Sequence, residues 1–138
     1  MADRVFLDSS YVIALASRGD QHHAKAVELS RHVASHGVGL LTTRAVCLEI
    51  ANALARVRLR PLAVQFLDGL EASPTAEIVP ASEDHYRQAF DLYRNRRDKE
   101  WSLTDCLSFI AMEQHGLTEA LTSDEHFEQA GFKALLRD

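Results

Sequence analysis

Two cysteines, three prolines and one tryptophan among 138 residues exclude several classes of protein at once. Cys47 and Cys106 both lie within apolar helical patterns. A disulfide between them stays open, but two buried reduced thiols is the plainer reading, and a disulfide scaffold is excluded by so low a count. No apolar run approaches the roughly 20 residues that span a bilayer, so no membrane association is expected. The N-terminus MADRVFLDSS has no basic region, apolar core or cleavage site; no signal peptide is expected, and the expected compartment is the cytoplasm. Positive charge is also short. Fifteen Lys and Arg face twenty Asp and Glu, a net charge of -5, which argues against a general nucleic-acid binder. The basic residues are bunched, as Arg56, Arg58 and Arg60 and as Arg94, Arg96, Arg97 and Lys99. Such runs are solvated helix ends or, beside an acidic site, holders of polynucleotide phosphates.

What is present is an ordinary globular composition, 46% apolar and 25% charged, in a length that suits one domain over residues 1–138. Short apolar runs alternate with helical patterns, which predicts an α/β fold: a three-layer α/β/α sandwich around a central, mainly parallel sheet of about five strands. Strands are expected at 5–7, 38–42, 76–79, 120–122 and 132–136. Helices are expected from Tyr11 to Ala16, from an Asp20 N-cap to His36, from Thr43 to Leu59 with the stripe Val46, Ile50, Leu54 and Val57, and from Pro61 to Ala72. Ser82 and Ser102 each read as the N-cap of a further helix, and Ser102 with Asp105 forms a capping box. Phe127 lies on a last short helix.

Four acids stand at the junctions of these elements. Asp8 ends VFL and Asp124 follows ALTS, so both lie where open parallel sheets bind ligands, beyond the carboxyl ends of strands. Each also reads as a helix cap, and the two roles are compatible, because a cap uses one carboxylate oxygen. Glu49 flanks the apolar stripe of its helix, with Arg56 as a candidate ion-pair partner. Asp105 shares a helical face with Phe109 and Met112, a costly place for a charge unless a cation or several donors meet it. Thr104 and Ser108 flank Asp105 and are candidates to orient ligands or water.

These segments, V-F-L-D-S-S at 5–10, L-E-I-A-N-A-L at 48–54, S-L-T-D-C-L-S-F at 102–109 and L-T-S-D-E-H-F-E-Q-A-G-F at 121–132, resemble the PIN-domain ribonucleases. The likeness is strongest to the small VapC-like toxins of toxin–antitoxin systems. The resemblance implies that Asp8, Glu49, Asp105 and Asp124 bind Mg²⁺ or Mn²⁺, with Ser9 and Thr104 supporting the site; Asp98 is expected as an extra acid near it, to which the resemblance assigns no role. It also implies RNA as substrate, a cognate antitoxin as partner and, often, a homodimer. The residue types agree with that chemistry. Hard carboxylate oxygens suit these ions, and no Cys and His cluster points to zinc. One ion would activate a water for attack on a phosphodiester, and a second about 4 Å away would stabilise the leaving oxygen.

His22 and His23 point apart on a helix, and His32 and His36 read as a solvated face. His126, close to Asp124, reads as packing or capping before substrate contact. Tyr11 is a candidate to stack on a base, whereas Trp101 reads as a hydrophobic anchor before Ser102. A phosphotransferase-type hydrolase would place a second Asp where Ser10 stands. The rival from another class is a non-catalytic PIN-like module that binds RNA or protein.

Overall fold

Val5, Phe6 and Leu7 project alternately to opposite faces of their strand, and all three are fully buried. A strand covered on both faces lies in the middle of a layered structure, the environment of a parallel sheet. The computed structural model describes residues 1–137 and places that strand at the centre. The elements are β1 (Arg4–Leu7), α1 (Ser9–Ala16), α2 (His23–His36), β2 (Gly39–Thr43), α3 (Arg44–Ala53), α4 (Arg60–Ala72), β3 (Ala76–Val79), α5 (Glu83–Asn95), α6 (Leu103–Gln114), β4 (Glu119–Leu121), α7 (Glu125–Gln129) and β5 (Lys133–Ala134). A 3-10 turn, Leu135–Arg137, follows.

The sheet order is β3-β2-β1-β4-β5, with every pairing parallel, so the expected sandwich around a five-stranded sheet is what the chain forms. The chain runs outward on one side of β1 through β2 and β3, then crosses to the other side for β4 and β5. The order therefore reverses between β1 and β4, and a crevice opens there at the carboxyl ends of the strands. Ser82 and Ser102 cap α5 and α6 as expected, and the Ser102–Asp105 box is complete in both directions. Gly37 ends α2 at φ 60°, a left-handed conformation that glycine adopts without steric cost, and lets Val38 N–H reach the Val33 carbonyl at 3.1 Å.

Three expected boundaries change. The helix expected over 43–59 ends at Ala53, because Leu54 is the last stripe residue with a core to pack on; Val57 is 90% exposed. Residues 54–59 form a turn fastened by Arg60, whose Nε and Nη2 donate to the Ala55 carbonyl at 3.0 and 2.7 Å. Asp20 does not cap α2. It closes a separate turn by accepting from His22 N–H at 2.8 Å, and α2 begins at His23. The strand expected over 132–136 is two residues long, since Leu135 and Leu136 bury their side chains by turning back, with Leu136 N–H on the Thr122 carbonyl.

An aromatic cluster joins the elements around the crevice. Phe109 of α6 meets Phe127 of α7 edge to face, with centroids 5.0 Å apart, and Trp101 meets Phe109 at 5.1 Å in the same manner. Phe127 also reaches Phe6 on β1 at 6.1 Å. Among the described residues no helix is long and apolar enough to cross a membrane. Because α7 has five residues, it is too short to persist without this packing. Phe127→Ala should lower the unfolding free energy by about 3–5 kcal/mol, read from urea denaturation, with the cavity term setting where in that range it falls.

Candidate metal centre

Asp8 follows β1 directly, and its carboxylate turns into the crevice while capping α1. It is 6% exposed. Every hydrogen bond it accepts falls on Oδ2: from Ser10 Oγ at 2.7 Å, from Thr122 Oγ1 at 2.8 Å and from Ser10 N–H at 3.4 Å. Among the described residues Oδ1 accepts no hydrogen bond. The two hydroxyls also accept from the backbone beyond β4, Ser10 Oγ from Ser123 N–H and Thr122 Oγ1 from Asp124 N–H, each at 3.0 Å. One small network thus fixes Asp8 and the segment that carries Asp124.

The other acids repeat the pattern of one committed oxygen and one spare. Glu49, half-buried on α3, accepts from Ser9 Oγ through Oε1 at 3.0 Å. Asp105, in the first turn of α6, accepts through Oδ2 from Ser102 N–H at 3.1 Å and from His126 Nδ1 at 3.0 Å. Asp124 caps α7 by accepting His126 N–H through Oδ1 at 2.9 Å. Among the described residues Oε2 of Glu49, Oδ1 of Asp105 and Oδ2 of Asp124 make no hydrogen bond.

The charges act on one another. Burial pushes the Asp8 carboxyl up from its ordinary value; its three hydrogen bonds only partly offset this, and the charge of Asp105 adds to the rise. Glu49 is likewise raised by burial, against the Ser9 hydrogen bond, with Asp8, Asp105 and Asp124 contributing repulsion. All four expected acids therefore share one electrostatic neighbourhood. The tightest group is Asp105, Asp124 and His126, one ligand atom from each lying within 4.8 Å of the others. Burial alone would lower His126, but the Asp105 hydrogen bond and the charges of Asp124, Asp105 and Glu125 leave it net raised.

The remaining expected residues divide. Ser9 holds Glu49, whereas Ser108 is buried and donates to the Thr104 carbonyl of its own helix at 3.1 Å. The Thr104 hydroxyl bonds to none of the acids. Asp98 is not brought to them either: its two oxygens take a bidentate pair from Arg96 at 3.1 Å on the exposed surface. Arg56 does not pair with Glu49, since α3 ends before it. Tyr11 is 4% exposed and cannot stack on a base, while Trp101 is the buried anchor expected. Of the basic runs, Arg60, Arg94 and Arg96 are engaged by Ala55, Asp91 and Asp98.

The chain's sequence segments show three contributors incompletely. Ser10 and Thr122 each stand two residues from an acid, a spacing suited to local side-chain bonding, yet only the parallel neighbours β1 and β4 bring them together. His126 faces Asp105 across 21 positions. Cys106 beside Asp105 is no nucleophile: burial, with the Asp105 charge, pushes its thiol up to about 11. A concavity of about 770 Å³ lies elsewhere, walled by Val12, Leu15, Leu62, Phe66 and Leu70, and contains none of the acids. Its lining is mainly apolar, with Arg18, His23, Gln65 and Ser73 but no carboxylate, so the acidic chemistry belongs to the crevice.

Comparison with known proteins gives the chain's relatives. The PIN-domain family model matches residues 5–133. The chain is 28% identical over 128 residues to the 23S rRNA-specific endonuclease VapC20 of Mycobacterium tuberculosis, in both strain CDC 1551 and strain H37Rv, covering 93% of this chain and 95% of the relative. It is also similar to the crystal structure of VapC20, a sarcin–ricin-loop-cleaving toxin, with a TM-score of 0.80 and 27% identity over 93% of this chain and 95% of the other.

The raised Asp8 carboxyl sets a pH dependence. Folding disfavours its ionised form, so the protein without added metal loses stability as pH rises through the elevated pKa, and keeps it below the ordinary carboxylate value. Asp8→Asn should therefore melt a few degrees above wild type at pH 7 in chelator, roughly 3 °C, and the gap should close toward pH 4, as followed by calorimetry.

Proposed function

The chain belongs to the PIN-domain family, and from that premise we propose that it is a Mg²⁺- or Mn²⁺-dependent endoribonuclease, the toxin of a toxin–antitoxin pair, acting in the cytoplasm as one nuclease domain over 1–138. The observation that carries this reading is the spare oxygen on each of four acids converging at the β1/β4 switch point. Asp8 is 6% exposed as a residue, and its second oxygen accepts no hydrogen bond among the described residues, which leaves that oxygen free for a ligand. Hard anionic oxygens without donors fit a divalent cation.

Asp8, Glu49, Asp105 and Asp124 would hold the ion. When bound, it supplies Lewis acidity: it lowers the pKa of water and offsets charge on a phosphodiester. The chain's own groups prepare that chemistry. Ser9, Ser10 and Thr122 each hold one oxygen of an acid in place, so the other is oriented before any ligand arrives. Ser102 does the same for Asp105 through the backbone of the cap. Exposed Arg56, Arg58 and Arg97 are available to RNA phosphates.

A homodimer and an antitoxin complete the proposal. Leu48, Val57, Leu62 and Val64 of the α3–α4 region are 61, 90, 45 and 53% exposed, an apolar surface that a second copy would cover. The antitoxin is proposed to occlude the acidic crevice, with an arginine on the carboxylates.

Purified protein with Mn²⁺ should cleave an RNA panel that includes a sarcin–ricin-loop oligonucleotide. Asp8→Ala and Asp105→Ala should each cut the rate at least about 100-fold, as gel-resolved cleavage would record. Full activity in both variants would remove the acids from the reaction. Tight RNA binding without cleavage by the wild type would favour the non-catalytic module. Millimolar Mn²⁺ should also raise the wild-type melting temperature, an effect absent in Asp105→Asn.

A further inference from the structure

Among the residues around the crevice, His126 has no part in the acidic quartet, yet it stands inside it. Its Nδ1 is 3.0 Å from Asp105 Oδ2 and 3.4 Å from Asp124 Oδ1, carboxylates contributed by two different elements. A histidine serving only to steady Asp105 would have little to add, because the same oxygen already accepts from Ser102 N–H in a complete capping box. The spacing has another meaning. One ligand atom from each of His126, Asp105 and Asp124 lies within 4.8 Å of the others, close enough to share one ion, and Asp105 Oδ1 and Asp124 Oδ2 are the oxygens free for it.

We propose that His126 is itself a metal ligand through Nδ1, so that the centre is a mixed nitrogen and oxygen site selective for Mn²⁺ over Mg²⁺. The inference rests on the metal-dependent reading above. Imidazole is a favourable ligand for transition ions and a poor one for Mg²⁺, which prefers oxygen and holds its water shell. The tautomer is accessible: Nε2 makes no hydrogen bond among the described residues, so it carries the proton when Nδ1 gives its lone pair to the ion. The backbone aids the arrangement, since His126 N–H on Asp124 Oδ1 ties the ring's own residue to a second ligand. Asp8 adds a carboxylate whose second oxygen accepts no hydrogen bond among the described residues.

The test uses the whole chain and Mn²⁺ alone. Pulsed electron paramagnetic resonance of the wild-type complex should show nitrogen modulation from a directly bonded imidazole, changed in pattern by ¹⁵N-histidine labelling and lost in His126→Ala. Titration should show Mn²⁺ affinity falling about tenfold or more in His126→Ala while Mg²⁺ affinity changes less than about twofold. Bound Mn²⁺ without nitrogen modulation, or equal loss for both ions, would overturn the ligand assignment and leave the quartet as the oxygen-only site. Failure of the wild type to bind Mn²⁺ at all would overturn this inference together with the metal-dependent reading.

Discussion

Burying carboxylates beside one another is unfavourable on two counts, desolvation and mutual repulsion, and the crevice is built around that constraint. Asp8 bears most of it, being almost wholly withdrawn from water with the charge of Asp105 nearby. Two hydroxyls and one amide answer on a single oxygen. The same hydroxyls accept amides from residues 123 and 124. The groups that make Asp8 tolerable are therefore also the groups that place Asp124, and neither acid can be moved without disturbing the other. A cation is the one partner that relieves both unfavourable terms together, which is why the arrangement fits a metal better than a second layer of donors.

Capping and coordination do not compete here, because they draw on different atoms. Asp8 caps α1, Asp124 caps α7 and Asp105 closes the box at the start of α6. In each case an amide takes one oxygen and orients the carboxylate, and the second oxygen projects from the helix end. A helix N-terminus also favours negative charge, which offsets part of the desolvation. The parallel topology makes the arrangement collective. Helices that begin just after β1 and β4 share the switch-point crevice, so two caps that are unremarkable singly face a common space.

Much of this was legible in the chain itself. An apolar run ending in acid marks a strand's carboxyl end, and Ser102 followed by Asp105 marks a cap whatever the fold. The parallel sheet of about five strands follows from alternation of elements, whereas the order β3-β2-β1-β4-β5 comes from the folded structure. Where the reading failed, tertiary contacts decided. The stripe through Val57 keeps helical period, but nothing lies beneath Val57 to pack on, so α3 stops at Ala53. Tyr11 has the chemistry to stack on a base and spends its ring in the core. Asp98 is near Ser102 in sequence, yet Arg96 two residues away claims both its oxygens. Ser9 and Ser10 are equivalent as sequence; a helical turn sends the first toward Glu49 and the second toward Asp8.

The two sides of α7 show how packing and chemistry depend on each other. With five residues it gains little from its own hydrogen bonds. On its apolar side Phe127 is held by Phe109 of α6 and by Phe6 of β1, and at its end Gln129 accepts from Trp101 Nε1 at 3.0 Å. On its polar side His126 and Asp124 meet Asp105, which also belongs to α6. The same pair of helices is thus joined twice, by an aromatic stack below and by an ionic cluster above. Loosening the stack would let His126 and Asp124 drift from Asp105. Neutralising the cluster with a cation would in turn draw α7 more firmly onto its aromatic seat, so stability and ligand binding at this corner rise and fall together.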